Sequence, residues 1–211
     1  MRKLDYCRFG FRVFVKLVPL GVVMCSLAYG QVLNQDQEVL VRGLPSLMAK
    51  SDDATEVLLT SLDTVFHDRD ICCGKDSALG DSAQSADPAS LKDVASKLDG
   101  RHLLSDGRPI MVSARYQAGD SVGSGDLIQA IMNHHAALVD WDSHIYVVHG
   151  VVYMWMANSS PDSPGYAGAV VHKLLLRDTR YSDSRRALVI NRDTADLSKL
   201  HGLLLVDAKP Q

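Results

Sequence analysis

The chain has 211 residues, of which 46% are hydrophobic and 22% charged. That is a globular composition, and it excludes a largely disordered chain. The formal net charge of −3 hides an asymmetry. Residues 1–30 carry five basic residues (Arg2, Lys3, Arg8, Arg12, Lys16) and one acidic residue (Asp5), which leaves 17 basic and 24 acidic residues, a net of −7, in the remainder. An acidic body lacks the basic footprint that phosphate backbones require, so no nucleic-acid partner is expected.

The N-terminus reads as an address. Arg2 to Lys16 is a positive start, Leu17 to Leu27 an apolar run, and Ala28-Tyr29-Gly30 sets small residues where a signal peptidase reads. Cleavage is expected after Gly30. The run is shorter than the roughly 20 apolar residues of a membrane span. The expected product is secreted or periplasmic, with no stable span after cleavage. Cys7 and Cys25 leave with the signal, so only the neighbours Cys72 and Cys73 remain. Adjacent cysteines close only a tiny ring and staple no fold, so reactivity or plain burial must explain them.

Gln31 to Asp53 reads as a loosely structured arm, and residues 54–211 as one domain. Ala54 to Phe66 spaces Leu58, Leu59, Leu62, Val65 and Phe66 like a helix. A short helix is expected over Cys72 to Leu79, starting near Cys73-Gly74, and Gly80 to Pro88 reads as a loop. Ser90 caps a helix over Leu91 to Leu98. Ile110 to Tyr116 alternates like a strand, and Asp126 to His134 is helical with Leu127, Ile128, Ile131 and Met132 inward. Strands are expected at 136–139, 145–156, 169–176, 187–190 and 203–206, with a turn over 158–165 and a short helix over 196–200. Helices first and then a mostly antiparallel sheet is an α+β order.

Two features carry chemistry. Cys73 precedes Gly74 at the expected helix start, where unpaired N–H groups stabilise a thiolate. His144 and Asp178 flank the expected hairpin of strands 145–156 and 169–176. Opposed residues of a hairpin keep a constant index sum. For this pair the sum is 322, centred on Pro161 within Ser-Pro-Asp-Ser-Pro-Gly. The two side chains are thus expected face to face, as when a carboxylate orients an imidazole.

Cys72-Cys73-Gly74-Lys75-Asp76-Ser77-Ala78-Leu79 resembles the Cys-Gly-x-x-x-Ala-Leu segment of papain-like cysteine peptidases, nearest the C39-like group. Ser143-His144-Ile145-Tyr146-Val147-Val148 resembles that group's histidine segment, and Leu174-Leu175-Leu176-Arg177-Asp178 its following strand. The resemblance spans about Asp70 to Tyr181 in three short blocks. It implies a papain-like fold, Cys73 as nucleophile, His144 as base and acid, Asp178 as orienter and Trp141 beside the histidine. Such enzymes carry a Gln six residues before the nucleophile. Here His67 stands there, and its imidazole can donate to the oxyanion in its place. Thr179 follows Asp178 where the group often has Pro.

The leading reading is therefore an exported papain-like cysteine hydrolase, a peptidase or amidase that acts on a peptide or protein through a thioester. Its rivals are a non-catalytic binding module of the same fold and a transglutaminase-like acyltransferase. No cofactor is expected. His134, His135, His144, His149 and His172 form no compact metal motif. Arg177, Arg180, Arg185 and Arg186 interleave with Asp178, Asp183 and Asp193 and read as a solvated face.

Overall fold

The computed structural model describes residues 36–66, 71, 77–119, 125–155, 169–181, 185–189 and 199–211. The expected signal segment, His67, Cys72, Cys73 and the turn over 158–165 lie outside the described residues. Among those described, the elements run β1 (Gln37–Leu40), α1 (Ala54–Phe66), α2 (Ala78–Gln84), α3 (Leu91–Leu98), β2 (Gly100–Leu103), β3 (Pro109–Ala118), α4 (Gly125–Met132), β4 (Ala137–Trp141), β5 (His144–Trp155), β6 (Ala169–Arg177), β7 (Arg185–Val189) and β8 (Leu200–Pro210). The fold class is α+β. Every strand pairing is antiparallel. No described helix is long and apolar enough to cross a membrane.

The sheet order is β2-β3-β8-β4-β5-β6-β7, and β1 also pairs with β5. β4 occupies one edge of β5 over His144 to Val148, and β1 pairs with β5 over Gly150 to Tyr153. The arm is thus partly a strand. β5 outruns β4, and the backbone groups it leaves open need partners that local sequence does not reveal.

Helix α1 starts at Asp53, whose Oδ1 accepts from the backbone N–H groups of Thr55 and Glu56 at 3.0 and 3.1 Å. Leu58, Leu59, Leu62, Val65 and Phe66 are all buried. Burial of each such side chain contributes about 1.5–3 kcal/mol, so this face fixes the helix more firmly than its caps do. α2 differs from expectation. Ser77 caps it through a 2.9 Å bond from Gly80 N–H, and it runs on through Gln84. The expected helix start near Cys73-Gly74 lies outside the described residues. Small residues make the stretch read as loop, but Leu79, Gly80 and Ala83 are buried. α4 ends at Met132, which is exposed rather than inward, and His134 lies beyond it at φ +62°.

On β3, Ile110 and Val112 are buried while Met111, Ser113 and Arg115 are not. The outward row and α4 line a cleft of about 540 Å³. Ion pairs cross or border it: Arg115–Asp126 at 3.7 Å, Lys209–Asp207 at 3.7 Å and His135–Asp207 at 3.8 Å.

Candidate functional site

The described part of the candidate site lies where β8, β4 and β5 end together. Asp142 and Ser143 join β4 to β5 with φ of 55° and 58°. Trp141 pairs with His144 across them. Two central residues at positive φ make a type I′ turn, whose twist matches that of the flanking strands and pins the register. His144 is therefore the first residue of β5, and it is exposed. Its Nδ1 is 2.7 Å from the Asp142 carbonyl oxygen, and its ring centroid is 6.4 Å from that of buried Tyr146. The Trp141 ring is 5.8 Å from Tyr146, so the tryptophan does neighbour the histidine.

The β5–β6 register departs from the expected one. Val147 pairs with Arg177 and Val148 with Leu176, an index sum of 324 rather than 322. Irregularities between Val148 and Gly150 and between Val152 and Tyr153 shift the ladder and return it. Carried one residue further, this register sets Asp178 opposite Tyr146, two positions from His144. Turn composition locates a hairpin but does not count its bulges, each of which adds an unpaired residue.

Asp178 is fully buried. The Arg180 guanidinium grips it in bidentate fashion, Nε to Oδ1 at 2.8 Å and Nη2 to Oδ2 at 2.6 Å, and Arg180 N–H adds a 3.1 Å bond to Oδ1. Its hydrogen bonds to Asp178, ahead of the carboxylate's charge, hold Arg180 even more firmly protonated than usual. Only 16% of the Arg180 side chain is exposed. Arg177 donates to the Pro45 carbonyl at 2.6 Å. These two arginines do not form a solvated face. Their charges are taken up by a carboxylate and by backbone carbonyls of the arm.

Thr179 connects this turn to α1. Its hydroxyl is 3.0 Å from that of Ser61, and its carbonyl accepts from Ala49 N–H at 2.8 Å. Both hydroxyl residues are buried. α1 ends at buried Phe66, which immediately precedes His67 in the sequence.

A second imidazole–carboxylate pair was not singled out by sequence. His201 Nδ1 lies 3.1 Å from Asp140 Oδ2, and Asp140 is buried. The usable signal was His201-Gly202 inside an apolar strand pattern, since a strand glycine marks a bulge or a close approach. Among the described residues, no group of three or more His, Cys, Asp and Glu is placed to hold a metal. Comparison with protein-family models finds no match. Comparison with curated proteins finds no relative either.

Proposed function

We propose that the chain is an exported cysteine hydrolase of papain-like type, acting on a peptide or amide bond. Cys73 is the nucleophile, His144 at the start of β5 is its base and acid, and His67 donates to the oxyanion. His144 is the base that the sequence pattern names. The observation that carries the reading is the Ser61–Thr179 bond at 3.0 Å. It ties the helix preceding the Cys72-Cys73 segment to the turn that follows the orienting-aspartate block. This contact supports the reading by fixing α1, which precedes the cysteine segment in sequence, against the residue after Asp178. Exposed His144, next to Trp141 and Tyr146, represents the remaining block at the same end of the sheet.

The chemistry is acyl transfer. The thiol gives its proton to the imidazole as sulfur bonds to the acyl carbon, the imidazolium returns it to the amine as the carbon–nitrogen bond breaks, and water activated by the imidazole then releases the acid from the thioester and restores the thiol. The bidentate capture of Asp178 by Arg180 favours the second reading, a binding module that keeps the fold without turnover. Alkylation separates the two. Iodoacetamide should modify Cys73 well below pH 8, because paired thiolates titrate about 1–5 units under the free value near 8.5. Labelling that follows a single ionisation near 8.5 would leave only the module.

A further inference from the structure

The cleft between β3, β8 and α4 shares no residue with the candidate site. The β3–β8 ladder sets Met111 opposite Lys209, Ser113 opposite Asp207 and Arg115 opposite Leu205. All of these side chains line the cleft, and α4 adds Asp126 from its first turn. Two acidic and two strongly basic side chains therefore converge on about 540 Å³, a volume within the range of small-molecule sites. The ion pairs among them are loose. Arg115 Nη1 lies 3.7 Å from Asp126 Oδ2, Lys209 Nζ 3.7 Å from Asp207 Oδ2, and His135 Nδ1 3.8 Å from Asp207 Oδ1. These distances exceed hydrogen-bond length, so the pairing uses none of the five N–H donors of Arg115.

The balance of charge selects the ligand. A simple anion would meet Asp126 and Asp207, and a simple cation would meet Arg115 and Lys209. An apolar molecule would strip water from all four and give nothing back. A zwitterion answers both signs. Of the two cations, Arg115 suits a carboxylate better, because a guanidinium offers a planar fork and an ammonium only a point charge. Of the two carboxylates, Asp207 is the less solvated, with its side chain 31% exposed against 57% for Asp126. It therefore attracts an ammonium more strongly. Arg115 and Asp207 are diagonal neighbours on the ladder, about 7–8 Å apart. Two residues of extended chain span about 7 Å, whereas one amino acid spans about half that. Exposed Met111, beyond Ser113 on the Asp207 side, offers an apolar contact to the first side chain of such a ligand.

We infer that this cleft binds a dipeptide with both termini free, its carboxylate on Arg115 and its ammonium on Asp207. Asp126 and Lys209 orient the two recognising groups. The site goes beyond the thiol-hydrolase reading and does not rest on it.

The test is isothermal titration of the full chain with leucyl-glycine, acetyl-leucyl-glycine, leucyl-glycinamide and free leucine. Leucyl-glycine should bind saturably. Blocking either terminus should weaken it about 10-fold or more, as for loss of a hydrogen bond to a charged group. Leucine, too short to reach both partners, should bind at least as weakly as the blocked forms. Arg115→Gln should weaken leucyl-glycine by a similar factor but bind leucyl-glycinamide as wild type does. Asp207→Asn should do the same with the acetylated form. Such matching of one variant to one terminus is not produced by a general loss of structure. His172→Ala, which removes an imidazole that faces Asp36 elsewhere, should bind like wild type. Urea midpoints show which variants fold, and the four ligands on wild type test the inference even where a variant does not. Absence of saturable binding, or blocked ligands that bind wild type as tightly as leucyl-glycine, overturns it. Leucine binding as tightly as leucyl-glycine overturns the assignment to a dipeptide. Each of these failures leaves the hydrolase reading standing, because the two sites share no residue.

Discussion

Two buried aspartates sit near the same end of the sheet, and their surroundings differ. Both oxygens of Asp178 are bonded by Arg180 within 2.8 Å, with a backbone N–H in addition. Asp140 gives one oxygen to a half-exposed histidine and has no partner for the other. A carboxylate closed off by a guanidinium holds a turn together. One left partly open against an imidazole that reaches solvent is suited to moving protons. Sequence alone ranks them the other way, because Asp178 follows a strand that matches a family pattern.

The largest effect should come from breaking the closed pair. Asp178→Ala leaves a nearly buried guanidinium alone and should cost about 3–5 kcal/mol, read from urea unfolding. Asp140→Asn removes a single hydrogen bond and should cost no more than about 1.5 kcal/mol. Equal losses at the two positions would erase the distinction. Gly119→Ala comes next, since a Cβ there would lie 1.8 Å from the Leu200 carbonyl oxygen, a backbone atom with little room to retreat. A cost of about 1–3 kcal/mol is expected, as for overpacking. The thermal midpoint should fall.

The Ser61–Thr179 bond sharpens the view of the Asp178 turn as structural. Ser61 Oγ already donates its one hydrogen to the Val57 carbonyl at 2.7 Å, so Thr179 must donate to Ser61. Ser61→Ala strands a buried donor and should cost about 1–3 kcal/mol, whereas Thr179→Val leaves only an acceptor empty and should cost less. Chemical denaturation of both variants checks the order. The smallest effect belongs to Asp106, in the turn from β2 to β3. The backbone N–H of Arg108, then its side chain, hold this carboxyl below its ordinary value of 3.8. A depressed pKa stabilises the fold above that value, and the contribution is lost as pH falls through the depressed one. Melting curves of wild type and Asp106→Asn should differ slightly at pH 7 and converge in strong acid.

Much of the fold was legible because burial writes periodicity into sequence. Ala54–Phe66, Leu91–Leu98 and the strand after Pro109 emerge as expected, with Ser90 as the expected cap of the second helix. Three things were not legible. β1 exists because β5 outruns β4, which is a fact about another part of the chain. β2 has four residues and a mixed pattern that fits a loop equally well. The β5–β6 index sum is already 324 at Trp155–Ala169, two more than expected, and the two irregularities change it only to 325 and back, so Asp178 falls opposite Tyr146 rather than His144. At the candidate site, His144 and Trp141 were placed together by a two-residue turn that is local. Asp140 and His201 lie 61 positions apart and meet only through the β4–β8 bulge, which no local pattern encodes.

The position of β8 has a consequence for how the molecule is made. β8 follows every other strand in the chain yet lies between β3 and β4. Before it arrives, the sheet exists as two unconnected pieces, β2-β3 and the β4 to β7 group, each with an open edge. A chain delivered N-terminus first therefore keeps its sheet unfinished after β2 to β7 are available and until β8 follows. During that interval the long apolar rows of β4 and β5 depend on other partners or on speed, because open edges recruit foreign strands. In the finished sheet Leu203 to Leu205 pair with β3 on one side and β4 on the other. The Asp140–His201 contact can form only once β8 is in place beside β4.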